Sequence, residues 1–228
     1  MKKKIQFITQ AKGGAGKSLL TFILAEKYQD AIILDLDDAN RTTSKQLAYR
    51  NPTLIPFLDP TTQRIDRGTF MELFRSISTV DHELFIADLG ASLSEQLPKF
   101  FVCNDLEATV KLLSDNNIQL QLVCVIGGAN IFNATMSYLV ELVTSVQGCI
   151  EIIAAYNGMF PCTTSQQDVL SDYVAKHKIP LIPFDLSPDK NDRAMRNIEM
   201  VLREGQGLSK VSPFITVYFD KSIKNLKL

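Results

Sequence analysis

The chain has 228 residues, 46% hydrophobic and 21% charged, which excludes a disordered chain and fits an ordinary globular one. Its 24 Lys and Arg stand against 25 Asp and Glu, a formal charge of -1, so no overall basic field advertises nucleic acid. No apolar run approaches the ~18 residues that a membrane span needs.

Ile5 to Thr9 predicts a short strand, Ala11 to Gly16 a glycine-rich turn, and Ser18 to Tyr28 a helix. Ala31-Ile-Ile-Leu-Asp35 is a continuous apolar run ending in an acid, as a strand buried on both faces would be. Together they make a βαβ unit. The stretch from Arg41 to Val80 is broken by Pro52, Pro56 and Pro60, with room for a short strand and a helix near Phe70–Ser76. Further strands are expected at Leu84–Ala87, Leu120–Ile126, Ile150–Ala155 and Ile179–Phe184. Helices are expected between them at Leu93–Leu113, Ile131–Val146, Ser165–Lys178 and Asp189–Arg203. This alternation predicts a three-layer α/β/α domain around a mainly parallel sheet. No repeat or linker divides the chain, so residues 1–228 are expected to form one domain with a helical tail near 211–228. Four cysteines without a C-x-x-C pair, and two isolated histidines (His82 and His177), argue against structural zinc and for reduced thiols in the cytoplasm.

The chemistry concentrates at Lys12-Gly13-Gly14-Ala15-Gly16-Lys17-Ser18, between the first strand and helix. Glycines let successive backbone N–H groups converge on an anion, and the helix N-terminus adds partial positive charge. Lys17 can reach β/γ-phosphates, and the Ser18 hydroxyl can ligate Mg²⁺. The strict G-x-x-x-x-G-K-[ST] pattern fails, because Ala11 stands at the first glycine and Lys12 precedes a double glycine. Asp35 and Asp37 close the second strand and share a face. Asp88 ends the apolar run Leu84–Ala87. Acids at such strand ends lie on the ligand edge of a parallel sheet.

K-G-G-x-G-K-[ST] resembles the deviant Walker A loop of the ParA/MinD ATPases, and the expected fold is then the P-loop NTPase fold. The resemblance implies that Gly13 to Leu19 bind nucleotide and that Lys12 reaches across a dimer to the partner's nucleotide. Lys17 and Asp37 become catalytic, Asp37 by positioning the attacking water. Ser18, Asp35 and Asp88 form the metal set. Asn157 would hydrogen-bond the adenine, with Pro183 and Asp185 in the loop packing on the base. No guanine-type [NT]-K-x-D motif occurs, which favours ATP. Asp38-Ala39 and Leu89-Gly90-Ala91 depart from the family's two switch segments, although Asn40 and Thr42 offer polar contacts and Gly90 could turn an N–H to the γ-phosphate.

The implied function is an Mg²⁺-ATP-dependent dimerisation switch with slow hydrolysis. The Asp37–Arg41 and Asn157–Phe160 runs resemble the plasmid-encoded StbB/TraL/MobD branch, linked to plasmid stability and conjugation. Its partners would be a second copy, a plasmid-encoded DNA-binding protein, or nonspecific DNA held by Arg193, Arg196, Arg203, Lys221, Lys224 and Lys227. Two alternatives remain open here. One is a MinD-type membrane-positioning ATPase using the tail from Phe219 to Leu228. The other is a metabolic ligase of the dethiobiotin synthetase type, which would need its own substrate pocket.

Overall fold

The computed structural model describes residues 2–37, 40–102, 106–186, 192–211 and 213–228. Its centre is a seven-stranded sheet, every pairing of which is parallel. The strands are β1 (Lys3–Thr9), β2 (Ile32–Leu36), β3 (Thr53–Leu54), β4 (Leu84–Leu89), β5 (Ile118–Gly127), β6 (Glu151–Asn157) and β7 (Leu181–Phe184), in the order β3-β2-β4-β1-β5-β6-β7. The helices are α1 (Lys17–Lys27), α2 (Thr42–Gln46), α3 (Arg67–Thr79), α4 (Ala91–Phe100), α5 (Leu106–Asp115), α6 (Phe132–Val146), α7 (Thr164–His177), α8 (Asp192–Glu204) and α9 (Pro213–Asn225). From β1 the chain first goes out on one side to β2 and β3, returns to place β4 between β2 and β1, and only then crosses to β5 on the other side. The strand order thus reverses at β1, and the crevice outside its carboxyl end is where open α/β sheets place ligands.

Buried side chains fall into two clusters, one on each face of the sheet. Phe7, Phe70 and Phe74 belong to one cluster; Leu20, Phe22 and Phe219 belong to the other. Strands covered on both faces read as the near-continuous apolar runs seen in the sequence. The helix expected over Leu93–Leu113 falls on α4 and α5, and the part of it at residues 103–105 lies outside the described residues. Pro98 already sits inside α4, where its ring removes an N–H from the helical ladder.

The carboxyl end of α1 is closed by a residue distant in sequence. Arg50 donates to the carbonyls of Ala25, Tyr28, Gln29 and Ala31. A guanidinium there satisfies orphan carbonyls and meets the negative end of the helix dipole. Hydrogen bonds from a charged donor contribute about 1.5–3 kcal/mol. Arg50→Ala is therefore expected to lower the unfolding free energy by about 1–3 kcal/mol, measured by urea denaturation. An unchanged midpoint would show that the cap is not stabilising.

The tail folds back on its own sheet layer. α9 lies along α1, with Phe219 and Leu226 buried and the Phe219 ring edge-on to Phe22 at 6.4 Å. Lys27 donates to the Leu226 carbonyl and Tyr28 to that of Leu228. Among the described residues no helix is long and apolar enough to cross a membrane.

Candidate functional site

The loop after β1 turns through two left-handed glycines, Gly14 at φ 76° and Gly16 at φ 108°. Gly16 is required twice over. A Cβ there would be strained by its φ and would lie 2.4 Å from the side-chain nitrogen of Asn157. Over Gly13 and Gly14 an added Cβ would meet nothing within 4 Å, so the loop faces an open cradle. Backbone N–H groups around such a cradle, at the start of α1, are suited to an anion.

The two lysines of the loop are placed differently. Lys12 is exposed. Lys17 is half-buried and donates its Nζ to the Gln10 carbonyl at 2.9 Å. Burial pushes the Lys17 ammonium below its ordinary pKa, and the carboxylates of Asp88 and Asp37 oppose that shift. Lys17, Asp37 and Asp88 therefore share one electrostatic field.

Pairing of β4 beside β1 and β2 brings the acids together, with Asp35 and Asp88 in register on neighbouring strands. Asp88 is 2% exposed, and its Oδ2 accepts from Ser18 Oγ at 2.6 Å and from Thr43 Oγ1. Its Oδ1 is buried without a hydrogen-bond partner. Burial pushes the Asp88 carboxyl up to about 6, against the pull of the two hydroxyl donors and Lys17. A buried acceptor without a partner, beside a hydroxyl and facing an anion cradle, fits a hard divalent cation such as Mg²⁺. Ser18 and Asp88 are the residues placed to hold it.

Asp35, expected in the metal set, is fully buried and spends both oxygens on backbone amides. Oδ1 accepts from Asp37 N at 3.0 Å and Oδ2 from Ser44 N at 2.7 Å. Its place is behind the metal position, where it sets the course of the following segment. Asp37 takes the Asn40 N–H on its Oδ1 at 3.1 Å. It packs against Gly90, where a Cβ would fall 2.8 Å from that same oxygen. The Gly90 N–H lies 3.5 Å from the Leu36 carbonyl, so it is turned to β2 rather than into the cradle. Asp38 and Ala39 lie outside the described residues.

At the far end of the site, Asn157 is tied to the loop itself. Asn157 is 1% exposed; its Nδ2 donates to the Ala15 carbonyl at 2.9 Å and its Oδ1 accepts from Met159 N at 3.1 Å. Both ends of the amide expected at the adenine edge are thus engaged by protein. The bare Cα of Gly16 is what lets that amide come so close, and here Asn157 braces the phosphate loop. Phe184 approaches Gly16, Asp185 lies against Gly158, and Pro183 is exposed on β7. Leu19 is half-buried in the first turn of α1.

Two residues of the site escaped the sequence reading. Gln10, just before the loop, is fully buried among β5, α4 and α6. Thr43, not Thr42, reaches Asp88, because Arg41 adopts a left-handed φ of 49° that re-aims the start of α2. A polar residue closing an apolar strand was the available signal for Gln10; Thr43 had none.

No protein-family model matches the chain, and no curated protein matches it. Solved structures do. A plasmid partition protein from Borrelia burgdorferi is 16% identical with a TM-score of 0.50, over 89% of this chain and 97% of that one. A protein assigned to plasmid partition from Borrelia burgdorferi B31, bound to AMPPNP, is 15% identical with a TM-score of 0.53, over 98% and 97%. Chloroplast FtsY from Physcomitrella patens is 14% identical with a TM-score of 0.54, over 80% of this chain and 58% of that one. The fold is that of the P-loop NTPases. Identities this low speak for the fold alone, and within it Lys12–Ser18 takes the place of the P-loop.

Proposed function

We propose that the protein is an Mg²⁺-ATP-dependent dimerisation switch that hydrolyses ATP slowly, of the ParA-like kind that serves plasmid partition or conjugative transfer. The observation that carries this reading is the split between the two P-loop lysines. Lys17 is held inside the site, where it can serve its own nucleotide, whereas Lys12 is exposed and available to a partner's. Charge supplied in trans to a phosphoryl transition state contributes ~10³–10⁵ in rate.

In the proposed cycle Lys17 leaves the Gln10 carbonyl for the β/γ-phosphates, and the N–H groups of Gly13 to Leu19 cradle them. Ser18 and Asp88 would hold Mg²⁺, which when bound would neutralise phosphate charge. Asp37 orients the attacking water. Lys12 of each subunit reaches the other's phosphates. Loss of the γ-phosphate then releases the segment that follows Asp37, and the dimer relaxes.

That segment has a route to the surface. Thr43 donates to Asp88, α2 packs against α8, and Tyr49 N donates to the Gly205 carbonyl at 3.3 Å. Arg196 and Arg203 on α8 are exposed, as are Lys224 and Lys227 near the end of the chain. The side chains of Arg193 and Lys221 lie outside the described residues. Pairing two subunits doubles such a patch. If it binds DNA, affinity should appear with ATP, vanish with ADP, and fall by about 0.9 log units per log unit of salt for each phosphate contacted. Co-sedimentation with DNA across a salt series measures this. Binding that ignores nucleotide and salt removes the DNA role and leaves a plasmid-encoded protein as partner.

The ligase reading keeps one supporting observation. A cavity of roughly 310 Å³ opens beside Asp37 and Gly90, walled by Pro56, Leu58 and Leu93, where a phosphoryl acceptor could sit. A ligase would turn over ATP only with its acceptor present. The membrane reading is disfavoured by the burial of Phe219 and Leu226 against α1; vesicle co-sedimentation with ATP tests it.

A further inference from the structure

We infer that Gln10 is a positioning residue for Lys12, an inference that rests on the in-trans role proposed for that lysine. The Gln10 side chain is 0% exposed and uses both ends of its amide. Nε2 donates to the Val125 carbonyl at 2.8 Å and the Thr135 carbonyl at 3.3 Å, while Oε1 accepts the Lys12 N–H at 3.1 Å. The amide has one workable orientation. Flipped, it would set its oxygen against two carbonyl oxygens and its NH₂ against an N–H. The entry of the P-loop is thereby keyed to the end of β5 and the first turn of α6. With its N–H drawn inward, Lys12 is left with its side chain on the open face of the loop.

Gln10 meets the two lysines through different atoms. Its side chain holds the Lys12 backbone, and its own carbonyl holds Lys17 Nζ. Side-chain variants therefore act on the direction of Lys12 and keep the carbonyl that Lys17 uses. A glutamine that merely filled the core would lower stability, and its loss would not depend on which residue stands at position 12.

A double-mutant cycle of Gln10→Met and Lys12→Ala separates these roles, reading nucleotide affinity at low protein concentration, ATP-dependent dimerisation and turnover. Gln10→Met is expected to lower dimerisation and turnover by about ten- to a hundredfold, the scale of a misplaced catalytic group. Nucleotide affinity should stay within about threefold, and adding Gln10→Met to Lys12→Ala should cost nothing further. An equal loss in both backgrounds overturns the inference. So does a parental Gln10→Met beside an impaired Lys12→Ala, and this result leaves the in-trans reading standing. A parental Lys12→Ala brings down the in-trans reading and this inference with it. If Gln10→Met does not fold, amide hydrogen exchange of the parental chain tests the same contact: the Lys12 N–H should be protected with and without ATP, and a Lys12 N–H that exchanges as freely as an exposed loop amide would overturn the inference.

Discussion

Lys17→Ala is expected to abolish nucleotide binding, weakening affinity for Mg²⁺-ATP by on the order of a hundredfold or more and removing turnover. Among the described residues Lys17 is the cation that burial holds within the field of Asp88 and Asp37. Lys12 is exposed and held by Gln10 only through its backbone N–H, whereas Lys17 is the lysine held inside the site. The loss should not come from unfolding, because the contact broken is one hydrogen bond to the Gln10 carbonyl. Titration calorimetry with ATP, beside a denaturation curve for the same variant, checks both statements. Parental affinity and turnover in a folded Lys17→Ala chain would end the P-loop reading of this site.

The second large effect is a contrast between two variants. Lys12→Ala should bind ATP in a single subunit almost as the parent does, yet lose ATP-dependent dimerisation and drop turnover by ~10³-fold. Asp37→Ala keeps the cradle, Lys17 and the Ser18–Asp88 pair, and loses the carboxylate that orients water. It should bind ATP, dimerise and accumulate as dimer, with turnover down by ~10²–10⁴-fold. Removing Asp37 also frees the Asn40 N–H and the contact with Gly90, so the segment after β2 should loosen. If both variants dimerise normally and hydrolyse at the parental rate, the two-subunit mechanism is wrong.

What could be read from the sequence was what is local. The run from Ile5 to Tyr28 shows a strand, a glycine turn and a helix because spacing and apolar periodicity are properties of neighbouring residues. The acids at Asp35, Asp37 and Asp88 were legible as strand ends for the same reason. Their division of labour was not. Asp35 turns to the backbone and Asp88 to the cradle because of how β2, β4 and β1 lie side by side. Asn157 was found at its strand end, but its engagement with the Ala15 carbonyl joins residues 142 apart. The contacts of Gln10 and Thr43 could not be read because their partners, Thr135 and Asp88, are 125 and 45 residues away.

Sedimentation velocity tests the central claim most directly. The parental chain and Asp37→Ala would be run with Mg²⁺-ATP and with Mg²⁺-ADP, at nucleotide concentrations shown by calorimetry to saturate the site. The expected result is a monomer with ADP in both cases, a dimer fraction with ATP in the parent that decays as ATP is consumed, and a persistent dimer with ATP in Asp37→Ala. A chain that binds ATP to saturation and sediments as a monomer in every condition would contradict the account.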